Sequence, residues 1–127
     1  MTGAGFLAVG VGAALGAWLR WMLNIGLNAM LPNLLLGTLA SNLIGGYLIG
    51  VAIEYFFQQG TVSPELRLFV ITGFLGGLTT FSSFSAEAAE LMMRAQYGWA
   101  ALMISSHVVG SIAMTFLGIF TVRALAG

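Results

Sequence analysis

The sequence predicts an all-α membrane protein with four transmembrane helices, and three observations carry this. Of 127 residues, 59% are hydrophobic and only 6% charged, with a mean hydropathy of +0.99. A water-soluble domain needs about 25% charged residues to cover its surface, so the solvent for this chain is lipid. The apolar residues fall into four stretches, each long enough for the roughly 20 residues that cross hydrocarbon. Short polar or proline-containing breaks separate them, so residues 1–127 read as a single four-helix transmembrane domain.

The first span covers about residues 6–31, interrupted by Arg20 and closed by Pro32-Asn33. Met1–Gly5 lacks the charged region of a secretory leader, so this span is expected to be retained. The second covers about 34–57 and stops at Gln58-Gln59-Gly60. The third covers about 66–93, after Ser63-Pro64-Glu65, where Ser63 reads as a cap and Pro64 as the first helical residue. The fourth covers about 99–125. The connections are a few residues each, so successive helices are expected to be antiparallel neighbours with both termini on one side.

The middle of the third span is unusual. Residues 72–85 read Thr-Gly-Phe-Leu-Gly-Gly-Leu-Thr-Thr-Phe-Ser-Ser-Phe-Ser. Gly76-Gly77 weakens a helix, and hydroxyls compete for backbone hydrogen bonds. The expectation is a helix broken near the bilayer centre, buried in protein or lining a polar cavity. Gly12/Gly16, Gly46/Gly50 and Gly73/Gly77 repeat at four-residue spacing, which predicts faces where helix backbones approach closely.

The net charge is zero and there is no Lys or Asp, which argues against a nucleic-acid partner. There is no Cys, and one His, so neither a disulfide framework nor a His/Cys metal cluster is expected, and an enzyme is not expected either. Topology follows Arg and Lys near the cytoplasmic ends. In the four-span arrangement Arg67 and Arg123 fall on the side of the termini, while Arg94 lies on the other side and Arg20 nearer to it. That balance predicts insertion in both orientations and pairing with an antiparallel copy. Four packed helices are also too few to enclose a pore alone, so function through a dimer is expected.

Polar groups within spans are costly and are functional candidates by default. Asn42, with two amide donors, is either a pore ligand for an anion or an interhelical bond that assists packing. His107, Ser111 and Thr115 share one face of the fourth span, as either a wet stripe or hydroxyls bonded back to their own helix. Phe81 and Phe84 share a face of the third, and Glu87 extends it. Ring edges carry positive potential and suit an anion in a dry pore, although such a pair also serves packing. Glu87 is either a proton site or part of an entry. Arg20, flanked by Trp18 and Trp21, either draws anions to a vestibule, pairs with a Glu, or snorkels to headgroups.

Together these motifs resemble the small bacterial fluoride channels of the Fluc (CrcB) family over essentially the whole chain. The resemblance rests on Gly16-Ala17-Trp18-Leu19-Arg20-Trp21, on Asn42-Leu43-Ile44-Gly45-Gly46-Tyr47-Leu48-Ile49-Gly50, on the run 72–85, and on Gly110-Ser111 with its polar stripe. It implies an antiparallel, dual-topology homodimer in the bacterial inner membrane, with two pores that pass fluoride outward passively. It implies Asn42 as the pore asparagine, Phe81 and Phe84 as the pore phenylalanines, and Ser83, Ser111 and Thr115 as the adjoining hydroxyl track. Glu87 corresponds to a polar residue near one end of that track, and Arg20 to a vestibule arginine. It further implies a structural sodium ion at the dimer centre, held by the backbone carbonyls of Gly76 and Thr79. The competing readings are a proton-coupled small multidrug exporter, which would want a carboxylate central in a span, and a non-conducting membrane subunit, which would leave the Asn42, Phe81 and His107 stripe unexplained. A tag at either terminus is expected to react from both sides of the membrane; labelling from one side only removes the dual-topology reading.

Overall fold

The computed structural model describes residues 1–31 and 34–127; the expected stop at Pro32-Asn33 lies outside the described residues. Every regular element among those residues is helical, and four helical spans are long and apolar enough to cross a membrane: Gly3–Met30, Leu36–Gln59, Pro64–Met93 and Tyr97–Ala126. The protein is a multi-pass membrane protein.

Helix α1 (Gly3–Leu27) starts where the Thr2 hydroxyl accepts the Gly5 N–H at 2.9 Å, and it tightens into a 3₁₀ turn, Asn28–Met30. Asn28 Oδ1 then accepts the N–H of Gly37 at 2.7 Å, satisfying a donor in the first turn of α2 (Leu36–Gln59). Helix α2 ends at Gly60, whose φ of 78° suits a residue without Cβ.

The third span is assembled from pieces. It opens as the Ser63-Pro64 pair requires: Ser63 Oγ accepts the Leu66 N–H at 3.1 Å and Pro64 begins α3 (Pro64–Arg67). A π-helical stretch, Leu68–Leu75, follows, and then one turn, α4 (Gly76–Leu78). Thr79 (φ −88°, ψ 154°) and Thr80 (φ −151°, ψ 122°) are extended, and α5 (Phe81–Met93) begins beyond them. The π stretch has no signature in the sequence, because a run this apolar, with Thr72 as its one polar side chain, reads alike at either period. Helix α5 stops at Ala95 in the left-handed region (φ 58°), with the Gln96 N–H donating back to the Leu91 carbonyl at 2.8 Å. Helix α6 (Tyr97–Ala126) completes the chain.

Two seams hold the spans together, and both use the glycines that the four-residue spacing singles out. On α1, a Cβ at Gly12 would stand 2.5 Å from the Phe69 carbonyl oxygen, and one at Gly16 would collide with that of Phe74. Gly77 faces Ala13 equally closely. Between α2 and α6, a Cβ at Gly46 would stand 2.8 Å from the Ser111 carbonyl oxygen, and Gly50 and Gly118 would strike the carbonyls of Thr115 and Tyr47. Without a hydrophobic force between helices in lipid, this contact between backbones replaces a conventional core. At the end carrying the termini, Arg123 Nε donates to Glu54 Oε1 at 3.0 Å and ties α6 to α2. The buried clusters are small: Leu34, Phe84, Ala88, Leu91, Ala100 and Met103 in one, Ala52, Phe56, Leu75 and Leu78 in the other.

Gly50→Val must push two backbones apart. A loss of about 3 kcal/mol is expected from overpacking, seen as a lower unfolding midpoint in detergent, whereas Gly10→Val, which meets nothing within 4 Å, should leave it unchanged.

Candidate functional site

The interruption at Thr79-Thr80 dictates the chemistry around it. Two extended residues inside an apolar span leave peptide groups that lipid cannot satisfy. Asn42, reaching across from α2, answers with both ends of its amide. Its Oδ1 accepts the Thr80 N–H at 2.8 Å, and its Nδ2 donates to the Thr80 carbonyl at 3.0 Å. The second hydrogen of Nδ2 meets His107 Nδ1 on α6 at 3.0 Å. One side chain thus joins three spans. The Thr80 hydroxyl caps α5 by accepting the Ser83 N–H at 3.1 Å. Thr79 closes α4, its hydroxyl and its N–H both donating to the Leu75 carbonyl, at 2.8 and 3.0 Å.

A groove of about 480 Å³ runs beside this junction. Asn42, Thr80, Phe81, Phe84, His107 and Ser111 give it its polar and aromatic character, and Gly76 and Thr79 border it. The two phenyl rings stand edge to face, with centroids 5.4 Å apart and planes at 73°. Phe84 is buried and lies against His107, centroids 4.6 Å apart, while Phe81 is 77% exposed. The groove is open on the side of Phe81.

The remaining candidates lie off the groove wall. Thr115 Oγ1 donates to the carbonyls of Gly46, at 2.9 Å, and Ser111, at 3.0 Å, so its one hydrogen is occupied by backbone. Ser83 contributes its N–H to the cap. Glu87 accepts a short bond, 2.6 Å, from Thr38 Oγ1, and its Oε1 is buried without a partner among the described residues. Arg20 Nε donates to the Gly77 carbonyl at 3.0 Å, so part of its guanidinium caps the end of α4. Thr38 and Thr80 were not singled out from sequence. Thr38 precedes Asn42 by one helical turn on the same face, a spacing that marks it in retrospect; the hydroxyl of Thr80 is a usual cap type, but its contact with Asn42 runs through its backbone, which carries no residue-type signal.

The CrcB-like protein (camphor resistance, CrcB) family model matches residues 7–119. The chain belongs to the CrcB family. Several relatives match nearly its whole length. A protein of Nitrosospira multiformis called fluoride-specific ion channel FluC is 62% identical over 94% of this chain and 93% of its own. Those of Cupriavidus metallidurans, 55% identical over 96% and 97%, and Ralstonia pickettii, 57% identical over 99% and 100%, carry the same name.

The CrcB resemblance implies a structural sodium ion on the Gly76 and Thr79 carbonyls, and the hydrogen bonds at the break fit that chemistry. In an unbroken helix the N–H groups of Thr80 and Ser83 would donate to those two carbonyls. Here they donate to Asn42 Oδ1 and Thr80 Oγ1 instead. Hard oxygen donors of this kind, relieved of their usual partners, suit a small cation. Among the described residues there is no group of three or more His, Cys, Asp or Glu that could hold a metal through side chains.

Asn42→Ala leaves both polar groups of Thr80 unpaired. A loss of about 3 kcal/mol in unfolding free energy is expected, with Asn42→Asp intermediate because it keeps the acceptor and loses the donor. A stability equal to wild type for the alanine variant would show that the junction is satisfied in another way.

Proposed function

We propose that this chain is a fluoride channel of the bacterial inner membrane, working as an antiparallel dual-topology homodimer with two pores and letting fluoride leave the cytoplasm passively. The observation that carries this reading is a groove in an apolar protein where a hydroxyl, an imidazole, a bidentate amide and two phenyl rings meet without a charged side chain on the wall. The name shared by the full-length relatives, fluoride-specific ion channel, supports the choice of anion.

Fluoride is small and tightly hydrated, so a conducting path must replace water donors without binding so firmly that exit is blocked. Neutral hydroxyls and ring edges do this better than a buried guanidinium. Ser111 on the groove wall, with Ser83 and Thr115 following the same line, forms the proposed hydroxyl track; Asn42 organises its centre, and Phe81 and Phe84 present ring edges along it. Arg20, anchored by one nitrogen, leaves the rest of its charge to draw anions into the vestibule, and Glu87 with Thr38 marks one end of the path.

The exposed Phe81 ring and the open side of the groove support a second copy as the missing wall, and the balance of Arg20 and Arg94 against Arg67 and Arg123 supports an antiparallel one. The break at Thr79-Thr80 would then lie near the bilayer centre of a single transmembrane domain. The Gly76 and Thr79 carbonyls of both copies would face one another there and hold sodium. The bound ion would supply the positive charge that fastens the two breaks together.

Liposomes containing the purified protein are expected to release fluoride down its own gradient, with chloride retained and no obligatory proton or sodium flux. Phe81→Ile and Phe84→Ile are expected to slow release about tenfold or more while the dimer persists. Liposomes that hold fluoride as tightly as empty ones would end this reading, and drug-dependent proton uptake would replace it with an exporter.

A further inference from the structure

A second hollow, of about 270 Å³, lies between α2 and the π-helical stretch Leu68–Leu75. It begins at Leu48 and Leu75, close to the middle of their two spans, and ends at Tyr55 and Phe56, one turn before α2 stops. From Leu48 to Phe56 a helix rises about 12 Å. One leaflet of hydrocarbon is about 15 Å deep, half of the roughly 30 Å core. The hollow therefore runs along most of one leaflet. Its walls between those ends, Ala52 and Val70 among them, are apolar. Water would find no hydrogen-bond partners along them, and an empty hollow forfeits the dispersion contacts of its lining. An extended hydrocarbon chain meets both conditions.

A cation stands at the outer end. The guanidinium carbon of Arg67 lies 5.6 Å from the centroid of the Phe56 ring, which lines the hollow. Arg67 is exposed, one turn into a span that begins at Pro64, so its charge is at the depth of the headgroups. Among the described residues the one ion pair joins Arg123 to Glu54, which leaves Arg67 without a carboxylate. Glu65 is two positions before it, a spacing at which helical side chains do not face one another.

We propose that this hollow seats one acyl chain of an anionic phospholipid, with Arg67 holding the headgroup phosphate. The guanidinium fork matches two phosphate oxygens, and the Phe56 ring beneath it keeps the fork over the mouth of the hollow. A zwitterionic lipid offers the same phosphate but brings its own cation, so the net attraction is smaller. The inference needs only the membrane around the chain and stands apart from the channel reading. In the antiparallel dimer proposed above, the two hollows would open to opposite leaflets.

The chain has no cysteine, so Tyr55→Cys, at a half-exposed position lining the hollow, accepts a single bimane fluorophore. The labelled protein is placed in vesicles that mix phosphatidylglycerol and phosphatidylcholine, one of the two carrying brominated acyl chains that quench the label. Brominated phosphatidylglycerol should compete about fivefold better for the site, the effect of one arginine on an anionic lipid. Adding Arg67→Gln should bring the two lipids level while quenching by phosphatidylcholine persists, and Arg67→Lys, which keeps the charge without the fork, should fall between. A label at Leu7→Cys, on an exposed part of α1 away from the hollow, should show no preference. Equal quenching by both lipids at Tyr55 overturns the inference. So does a preference that survives Arg67→Gln, or one of the same size at Leu7, which would be a property of the whole surface. No quenching by either lipid at Tyr55 would assign the hollow to a second copy of the chain instead.

Discussion

The structure depends on satisfying one peptide. Thr79 and Thr80 depart from the helix within an apolar span, and in that medium an unpaired N–H or carbonyl costs several kcal/mol. The bidentate contact from Asn42 to Thr80, at 2.8 and 3.0 Å, removes that cost and simultaneously brings α2, α5 and α6 to one point. Several polar groups of the third span are arranged around it. The Thr80 hydroxyl becomes the cap of α5, the Thr79 hydroxyl closes the turn before it, and Arg20 takes the carbonyl of Gly77.

The two glycine seams make this contact possible. An asparagine side chain is short, and it spans two helices only where backbones come close. Gly46 and Gly50 bring α2 onto α6, so that Asn42 reaches His107, while Gly12, Gly16 and Gly77 press α1 onto the first half of the third span. In water such sparing use of side chains would leave the chain unstable. In lipid the alternative partner for each helix is an acyl chain, and close backbone contact competes well with it.

Polar side chains in and beside the groove divide into those that serve the fold and those with capacity left over. Thr115 donates to backbone carbonyls, Asn42 is saturated, and Thr38 is bound to Glu87. Among the described residues, His107 Nε2 and Glu87 Oε1 are left without partners. A hydroxyl stripe in sequence therefore overstates how many donors face the groove, because each hydroxyl has one hydrogen and a nearby carbonyl usually takes it.

The number of spans, the start of the third at Ser63-Pro64 and the glycine faces were legible in the sequence, and Asn42, Phe81, Phe84 and Ser111, candidates by residue type and spacing, line one groove. They depend on local composition, on spacing along one helix, or on motifs quoted from it, and lipid as solvent makes hydropathy decisive. Other features belong to the tertiary structure alone. The sequence left Asn42 open between ligand and structural bond, and Thr115 between path and back-bond. Those alternatives turn on which acceptors lie within about 3 Å: for Asn42 the acceptor comes from a different span, and for Thr115 one comes from its own helix and one from α2. The Asn42 contact is the extreme case: its two partners, Thr80 and His107, lie 38 and 65 positions further along the chain, and only the packing of three spans brings them within 3.0 Å.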